Sequence, residues 1–315
     1  MAEIANSKLT VIGAGSVGSS LAYAALIRQS ARTVALYDIQ TAKVEAEVLD
    51  LAHGTQFTGS SEIIGGDDLS VIEGSHVVVI TAGAKQEPGQ TRLELAVTNV
   101  RILQSMMPQL LEHAPDATYI LVTNPCDVLT VIAQKISGLP VNRVFASGTV
   151  LDTSRLRWEL GRRLGVSTSS IHAYIVGEHG DTEFPLWSSA SVGPVPLLDW
   201  SRAGAVTESE FDGIALDVRD AAYKVINGKG ATNYAIGLSG ARIVEAVLRD
   251  EHAVMPVSTV LDDYQGISGV ALSVPSVVSA AGAVPVAGTP YSEKEHRLLH
   301  DSAAALRTSL ASLGF

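Results

Sequence analysis

The chain has 315 residues, 46% of them hydrophobic and 17% charged, with a formal net charge of −11. That length suggests about two domains, and the composition is too apolar for disorder. An acidic chain with no basic aromatic stretch does not fit a nucleic-acid binder, because phosphate contacts need clustered cations.

The opening MAEIANSKLT carries no apolar leader, and no run reaches the ~18 residues of a membrane span, so a cytoplasmic protein without membrane contact is expected. KLTVIGAG (8–15) reads as a buried strand, and SVGSSLAYAALIRQ (16–29) as a helix rich in small residues. TVALYD (33–38) is a second strand, and AKVEAEVLDLAHG (42–54) an amphipathic helix ending at Gly54. HVVVITAGA (76–84), TYILVTNP (118–125) and the shorter RVFASG (143–148) are further strands. Continuous Val/Ile runs alternating with helices predict a parallel sheet covered on both faces.

The turn after the first strand is GAGSVG, a G-x-G-x-x-G on Gly13, Gly15 and Gly18. The first glycine allows the tight turn, the second a close backbone approach to a pyrophosphate, and the third close helix–strand packing. The helix N-terminus then offers unpaired N–H groups to the phosphates. Asp38 ends the next strand, about 20 residues on, where a carboxylate accepts from ribose hydroxyls and repels a 2′-phosphate, favouring NAD over NADP. The expected fold class is therefore α/β, an N-terminal Rossmann doubly wound parallel sheet over residues 1–148. A C-terminal α+β substrate domain over 149–315 follows without a clear linker, so the two are expected in intimate contact.

TAGAKQEPGQTRLELAVTNV (81–100) leaves a strand through Gly83, Pro88 and Gly89 and enters a helix, as an exposed loop able to close as a lid carrying Arg92. An arginine opposes the dipole at a helix start, which points to another reason for its presence. VTNPCD (122–127) ends a strand at Asn124, held extended by Pro125. Its Cys126, the single cysteine, allows no disulfide within the chain and no zinc site, so a reducing compartment and no metal are expected. In TVLDTSRLRWELGRRLG (149–165), Asp152, Thr153 and Ser154 are all candidate helix caps, and Arg155 and Arg157 point to different sides. GEHGDTEFP (177–185) sets His179 between two glycines, with Glu178, Asp181 and Glu183 around it. The stretch 211–261 reads as a long helix, a break at Asn227–Gly228, a second helix and a strand, and 292–315 as a closing amphipathic helix.

Together GAGSVG, DLAHG (50–54), AGAKQEPGQTRLEL, VTNPCD, LDTSRLR, GEHGDTEFPLWSSASVG (177–193) and NGKGATNYAIG (227–237) resemble the L-lactate/L-malate dehydrogenase family over nearly the whole length. The resemblance implies His179 as proton donor and acceptor and Asp152 as its partner. A histidine titrates near neutrality, and a neighbouring carboxylate orients the ring and favours its charged form. The flanking glycines would let the backbone pass close to substrate and nicotinamide. The resemblance further implies Arg155 gripping a substrate carboxylate, Arg92 polarising the carbonyl, and Asn124 and Thr232 contacting the substrate, with Thr232 on the helix after NGKGA. For NAD it implies Gly13, Gly15, Val17, Gly18, Asp38, Lys43, Gly83, Ala84, Ser105, Val122, Ser147 and Ile236. It also suggests a cis Asn124–Pro125 bond.

Where malate enzymes of the family place an arginine on the lid, this chain has Gln86, which cannot pair a second carboxylate. The expected pair is pyruvate and L-lactate, with malate or another 2-hydroxy acid as the alternative if Lys85 takes that place. Gln90 stands where many relatives carry glutamate, which removes a lid charge near Arg92. Arg157, two past Arg155, and His172, seven before His179, match the positions that bind fructose 1,6-bisphosphate in responsive bacterial members. Two such pairs across a two-fold axis would hold one effector. The resemblance also implies a homotetramer, while the residues themselves only permit a symmetric oligomer. An idle NAD-binding protein of the same fold is the reading from another class. It has no need of His179, Asp152, Arg92, Arg155 and Asn124 together.

Overall fold

The computed structural model describes residue 4 and residues 6–84, 92–200 and 208–315, without the side chains of residues 92, 208 and 209. Its first half runs β1 (Lys8–Ile12), α1 (Ser16–Arg28), β2 (Thr33–Tyr37), α2 (Thr41–Gly54), β3 (Glu62–Gly66), β4 (Val77–Ile80), α3 (Arg92–His113), β5 (Thr118–Leu121), α4 (Cys126–Ser137) and β6 (Val144–Ala146). The second half starts with α5 (Val150–Leu164), β7 (Ile171–His172), β8 (Ile175–Val176), β9 (Phe184–Pro185), β10 (Ser191–Val192) and β11 (Val195–Pro196). It closes with α6 (Glu208–Lys229), α7 (Tyr234–Leu248), β12 (Ala253–Val260), β13 (Ala271–Ser279), β14 (Gly282–Pro285) and α8 (Glu293–Ser312).

Strands β3-β2-β1-β4-β5-β6 lie side by side and pair in parallel, in the order 3-2-1-4-5-6 of a doubly wound sheet. Their Val/Ile runs bury both faces. Val77 and Val79 join one apolar cluster with α1 and α7, while Val78 and Ile80 join the other with α3, α4 and α8. The order reverses between β1 and β4, and the crevice beyond those strand ends receives the glycine turn and residues 81–84.

The second half adds to this same sheet. Antiparallel β12, β13 and β14 extend it from β6, making nine strands in one surface. β3 was not anticipated, because EIIGG is short and ends in two glycines. The break between α6 and α7 falls at 230–233, later than the Asn227–Gly228 expected, since α6 carries those residues as its last turn. α2 packs on the sheet through Val44, Val48, Leu51 and Ala52, of which only Val44 is fully buried, and leaves Leu49 58% exposed on its outer side. α8 begins at a capping box, the Ser292 hydroxyl accepting from Glu295 N–H while the Glu295 carboxylate accepts from Ser292 N–H.

α1 and α7 pack through glycine. A Cβ on Gly237 would sit 2.8 Å from the Ser20 carbonyl, and one on Gly240 2.5 Å from Leu21 Cδ1. A half-buried ion pair closes the far end: Arg28 of α1 donates twice to Glu245 of α7, at 2.8 and 2.6 Å, and Ser30 donates a third bond. The helix that opens with the glycine turn is thus locked to one from the second half.

Candidate active site

The dinucleotide turn is shaped for a phosphate. Gly13 adopts φ +105°, and a Cβ there would meet Ala82 N at 2.8 Å, so only glycine fits. A Cβ on Gly18 would collide with the Gly13 carbonyl oxygen at 1.8 Å. At Gly15, the N-cap of α1, nothing lies within 4 Å of where a Cβ would be, leaving open space over the helix N-terminus. Asp38 is aimed by two backbone donors: Ala14 N–H to Oδ2 at 2.7 Å and Gln40 N–H to Oδ1 at 3.0 Å. An open cradle beside a fixed carboxylate fits the pyrophosphate and ribose of NAD. Val17 and Ile236 border the same apolar cluster, and Lys43 lies in the first turn of α2, just past Asp38.

The neighbouring strand ends supply Gly83, Ala84, Val122, Asn124 and Ser147. Asn99, 2% exposed on α3, joins two of them: its Oδ1 accepts from Ala84 N–H at 2.7 Å and its Nδ2 donates to Asn124 O at 2.8 Å. The Asn124–Pro125 bond is cis, and the Asn124 side chain is exposed at this edge. Ser147 is buried, its N–H donating to Leu121 O at 2.9 Å. Ser105 is the outlying cofactor candidate. It is exposed in mid-α3, about 20 Å along that helix from Arg92.

His179 sits in the loop between β8 and β9, whose pairing of Val176 with Phe184 closes the loop's base. Two successive backbone N–H groups pin it. Glu178 N–H donates to Ser302 Oγ on α8 at 2.7 Å, and His179 N–H donates to Asp127 Oδ2 on α4 at 2.7 Å. The glycine before it serves the protein interior rather than the ligand. Gly177 has φ +96°, exchanges backbone bonds with Ser273 of β13, and would bring a Cβ to 2.9 Å from Ser302 Oγ. Gly180 is the open one, its nearest neighbour being the Glu178 side chain at 3.6 Å.

The His179 Nδ1 atom lies 2.8 Å from Asp152 Oδ2. Asp152 is 2% exposed and His179 27%, so the ring's exposed edge is the Nε2 side. Burial alone would lower the His179 pKa. The Asp152 charge and hydrogen bond outweigh it, with Glu183 and Asp127 adding, and hold it up at about 9. Burial likewise pushes Asp152 up, but His179 and Arg155 keep its carboxyl below the usual range. Burial raises Asp127 to about 6 despite its bond to His179 N–H. Asp152 does not cap α5. The N-cap is Thr149, whose hydroxyl donates to Ile175 O instead, and Asp152 stands in the first turn facing His179.

Arg155 donates to Asp152 Oδ1. It thus sits beside the proton-transfer pair, one turn along α5. Arg157 turns the other way: its Nε donates to Ala173 O at 3.1 Å and its guanidinium stacks on Tyr174. That places it beside exposed His172 on β7. Thr232 lies in the segment before α7 rather than on a helix, and is half-buried. Arg92 opens α3, but its side chain, like Gln86, Lys85 and Gln90, lies outside the described residues.

Sequence reasoning missed Asp127, Asn99 and Ser302. Each acts on a backbone group rather than on a ligand, and nothing in the local pattern says which backbone group that is. Only the neighbourhood of Asp127 to Asn124 hinted at a role.

Among the described residues, no helix is long and apolar enough to cross a membrane. The family model for the lactate/malate dehydrogenase NAD-binding domain matches residues 7–146, and that for its alpha/beta C-terminal domain matches residues 149–313. The chain is 48% identical to the L-lactate dehydrogenase of Bifidobacterium animalis subsp. lactis (strain AD011), covering 98% of each chain. It is 44% identical to that of Synechococcus sp. (strain JA-3-3Ab), over 97% of this chain and 99% of that one. Among solved structures, a lactate dehydrogenase from a Medee basin deep-sea metagenome library superposes with a TM-score of 0.94 at 36% identity, covering 98% of this chain and 99% of that one. The minor L-lactate dehydrogenase of Enterococcus mundtii, in a ligand-bound form, gives 0.93 at 35% identity and 98% of each chain. With the dinucleotide cradle, the buried Asp–His pair and both halves of the fold matched end to end, the chain belongs to the lactate/malate dehydrogenase family and is an NAD-dependent dehydrogenase.

Proposed function

We propose that this chain interconverts pyruvate and L-lactate, and that the observation carrying this reading is the His179–Asp152 pair, tied through Asp127 to the strand-end edge of the same sheet that carries the dinucleotide cradle. The bound cofactor would supply the hydride as NADH for pyruvate reduction and accept it as NAD for lactate oxidation. His179 holds a proton on Nε2 and passes it to the carbonyl oxygen of pyruvate, or takes it from the hydroxyl of lactate. Asp152 fixes the ring through Nδ1 and stabilises its charged form. Arg155 pairs with the substrate carboxylate by two parallel hydrogen bonds, sharing its charge with Asp152. Arg92 arrives with the lid and stabilises charge developing on the carbonyl oxygen. Asn124 and Thr232 complete the polar wall. The Gly13–Gly18 turn, Val17, Asp38, Lys43, Gly83, Ala84, Ser105, Val122, Ser147 and Ile236 hold the cofactor. The names of the relatives support a lactate substrate, and so does the neutral Gln86, which leaves a second carboxylate without a counter-ion.

The finer reading is a cytoplasmic homotetramer of a nucleotide-binding part, 1–148, and a substrate and assembly part, 149–315, responsive to fructose 1,6-bisphosphate. Arg157, bonded to the carbonyl of the residue after exposed His172, supports the effector site. Exposed Tyr23, Leu49, Trp158 and Leu238 support assembly, since a monomer gains nothing from them. So does a groove of about 590 Å³ lined by Arg157, Trp158, Leu238 and Val254.

The deciding assay is NADH oxidation by the purified protein with pyruvate or oxaloacetate, each with and without fructose 1,6-bisphosphate. The expected result is a preference for pyruvate that sharpens with the bisphosphate, the response being lost in Arg157→Gln. Preference for oxaloacetate would place a cation, Lys85 first, against the second carboxylate. A pyruvate enzyme indifferent to the bisphosphate would remove the effector reading alone.

A further inference from the structure

His179 meets two carboxylates at one ring nitrogen. Asp152 Oδ2 is 2.8 Å from Nδ1 and Glu183 Oε2 is 3.9 Å from it. One ring nitrogen of His179 and one carboxylate oxygen each of Asp152 and Glu183 lie within 4.8 Å of one another, and the carboxylate side chains are only 2% and 6% exposed. Asp152 alone suffices to orient the ring. A second carboxylate buried beside it carries a desolvation penalty that a packing spacer would avoid. Groups this close cannot ionise independently, so their protons come off as properties of the cluster.

We propose that Glu183 is a positioning residue that exchanges charge with the His179–Asp152 pair and so sets the alkaline edge at which His179 stops donating its proton. Among the described residues, the charged groups facing Glu183 are Asp152 and Arg155 from α5, Asp127 from α4 and His179 from its own loop. Burial and then Asp152 push the Glu183 carboxyl up, to about 8, against the opposing pull of His179 and Arg155. At neutral pH Glu183 is therefore protonated, Asp152 ionised, and His179 carries a proton on both nitrogens. The Nε2 proton goes to the substrate oxygen, while the Nδ1 proton stays on the ring toward Asp152. As pH rises, Glu183 and His179 lose their protons to solvent as a coupled set, and Glu183 gains negative charge as it does so. The new negative charge beside the imidazolium then delays the loss of the His179 proton and extends pyruvate reduction to higher pH.

The inference rests on His179 being the proton donor, and its test separates the two. Glu183→Gln keeps the shape and cannot ionise. It should move the alkaline limb of kcat/KM for pyruvate to lower pH by roughly one unit, with an unchanged Tm and NADH affinity. A limb that coincides with the parent's overturns the proposal. Glu183→Asp keeps the charge and should restore part of the shift; if it behaves as the glutamine variant does, shape and not charge is responsible and the proposal falls. The parent protein gives an answer without turnover or mutation at Glu183. In NMR titration, the His179 imidazole, assigned by its loss in His179→Asn, should shift in two coupled steps. A single step overturns Glu183 as partner while leaving His179 as donor, whereas an inactive enzyme with two steps removes the catalytic reading alone.

Discussion

His179 is held by three bonds: its backbone N–H on Asp127, the preceding Glu178 N–H on Ser302, and its ring Nδ1 on Asp152. Replacing His179 by Asn keeps the fold and removes the proton, so hydride transfer should slow by about 10²–10⁴-fold. Stopped-flow absorbance of NADH measures this, and unchanged NADH binding shows the cradle intact. Because Asp152 raises His179 to about 9, pyruvate reduction should hold through neutrality and fall as pH rises through that value. Lactate oxidation needs the neutral ring and should rise over the same range. A limb near 6.5, the ordinary histidine value, would show that Asp152 does not control the ring. Asp152→Asn should move the limb toward that ordinary value, since it removes the raising charge.

At the scale of elements, the junctions between helices control the site. α8 reaches the catalytic loop through Ser302, whose hydroxyl accepts from Glu178 N–H and also meets Thr182 Oγ1 at 2.8 Å. Ser302→Ala leaves that part-buried N–H without its protein partner, at a cost of about 1–2 kcal/mol read from urea unfolding. The same variant should lower kcat more than it raises KM, because the displaced group is the proton donor. α7 and α1 touch through Gly237, so Gly237→Ala forces apart the helix that carries the glycine turn. Overpacking of that kind costs about 1–3 kcal/mol, and NADH titration should show weakened binding.

For the molecule as a whole, one sheet joins both halves, and Glu245 ties α1 to α7 across 217 residues of chain. Glu245 is 3% exposed, but its partner Arg28 is 39% exposed, so solvent screens the pair. Glu245→Ala should therefore cost about 1–2 kcal/mol, less than a fully buried pair, and thermal unfolding in the absence of ligand measures it. Trp158, 57% exposed, stands beside a groove that a monomer leaves open. Trp158→Glu should reduce the sedimentation coefficient if that face is an assembly surface, and an unchanged value would move the interface elsewhere.

The sequence by itself determined the parallel α/β half, because Val/Ile runs alternating with helices admit few other solutions, and it located the cradle through GAGSVG and Asp38. It also picked out His179, Asp152 and Arg155 as chemistry, since their residue types at those places resemble a known family. Tertiary structure decided what these residues rest on. β12–β14 extending the first sheet, Asn99 bridging two strand ends, Asp127 and Ser302 gripping the catalytic loop, and Glu183 facing His179 are all contacts made in the folded chain. Asp152 shows the difference most clearly. From its position alone it could cap a helix; only the fold, by giving the N-cap to Thr149 and bringing a distant loop against the first turn, turned its carboxylate to a histidine. Local pattern fixes what a residue can do, while long-range packing fixes which partner it meets.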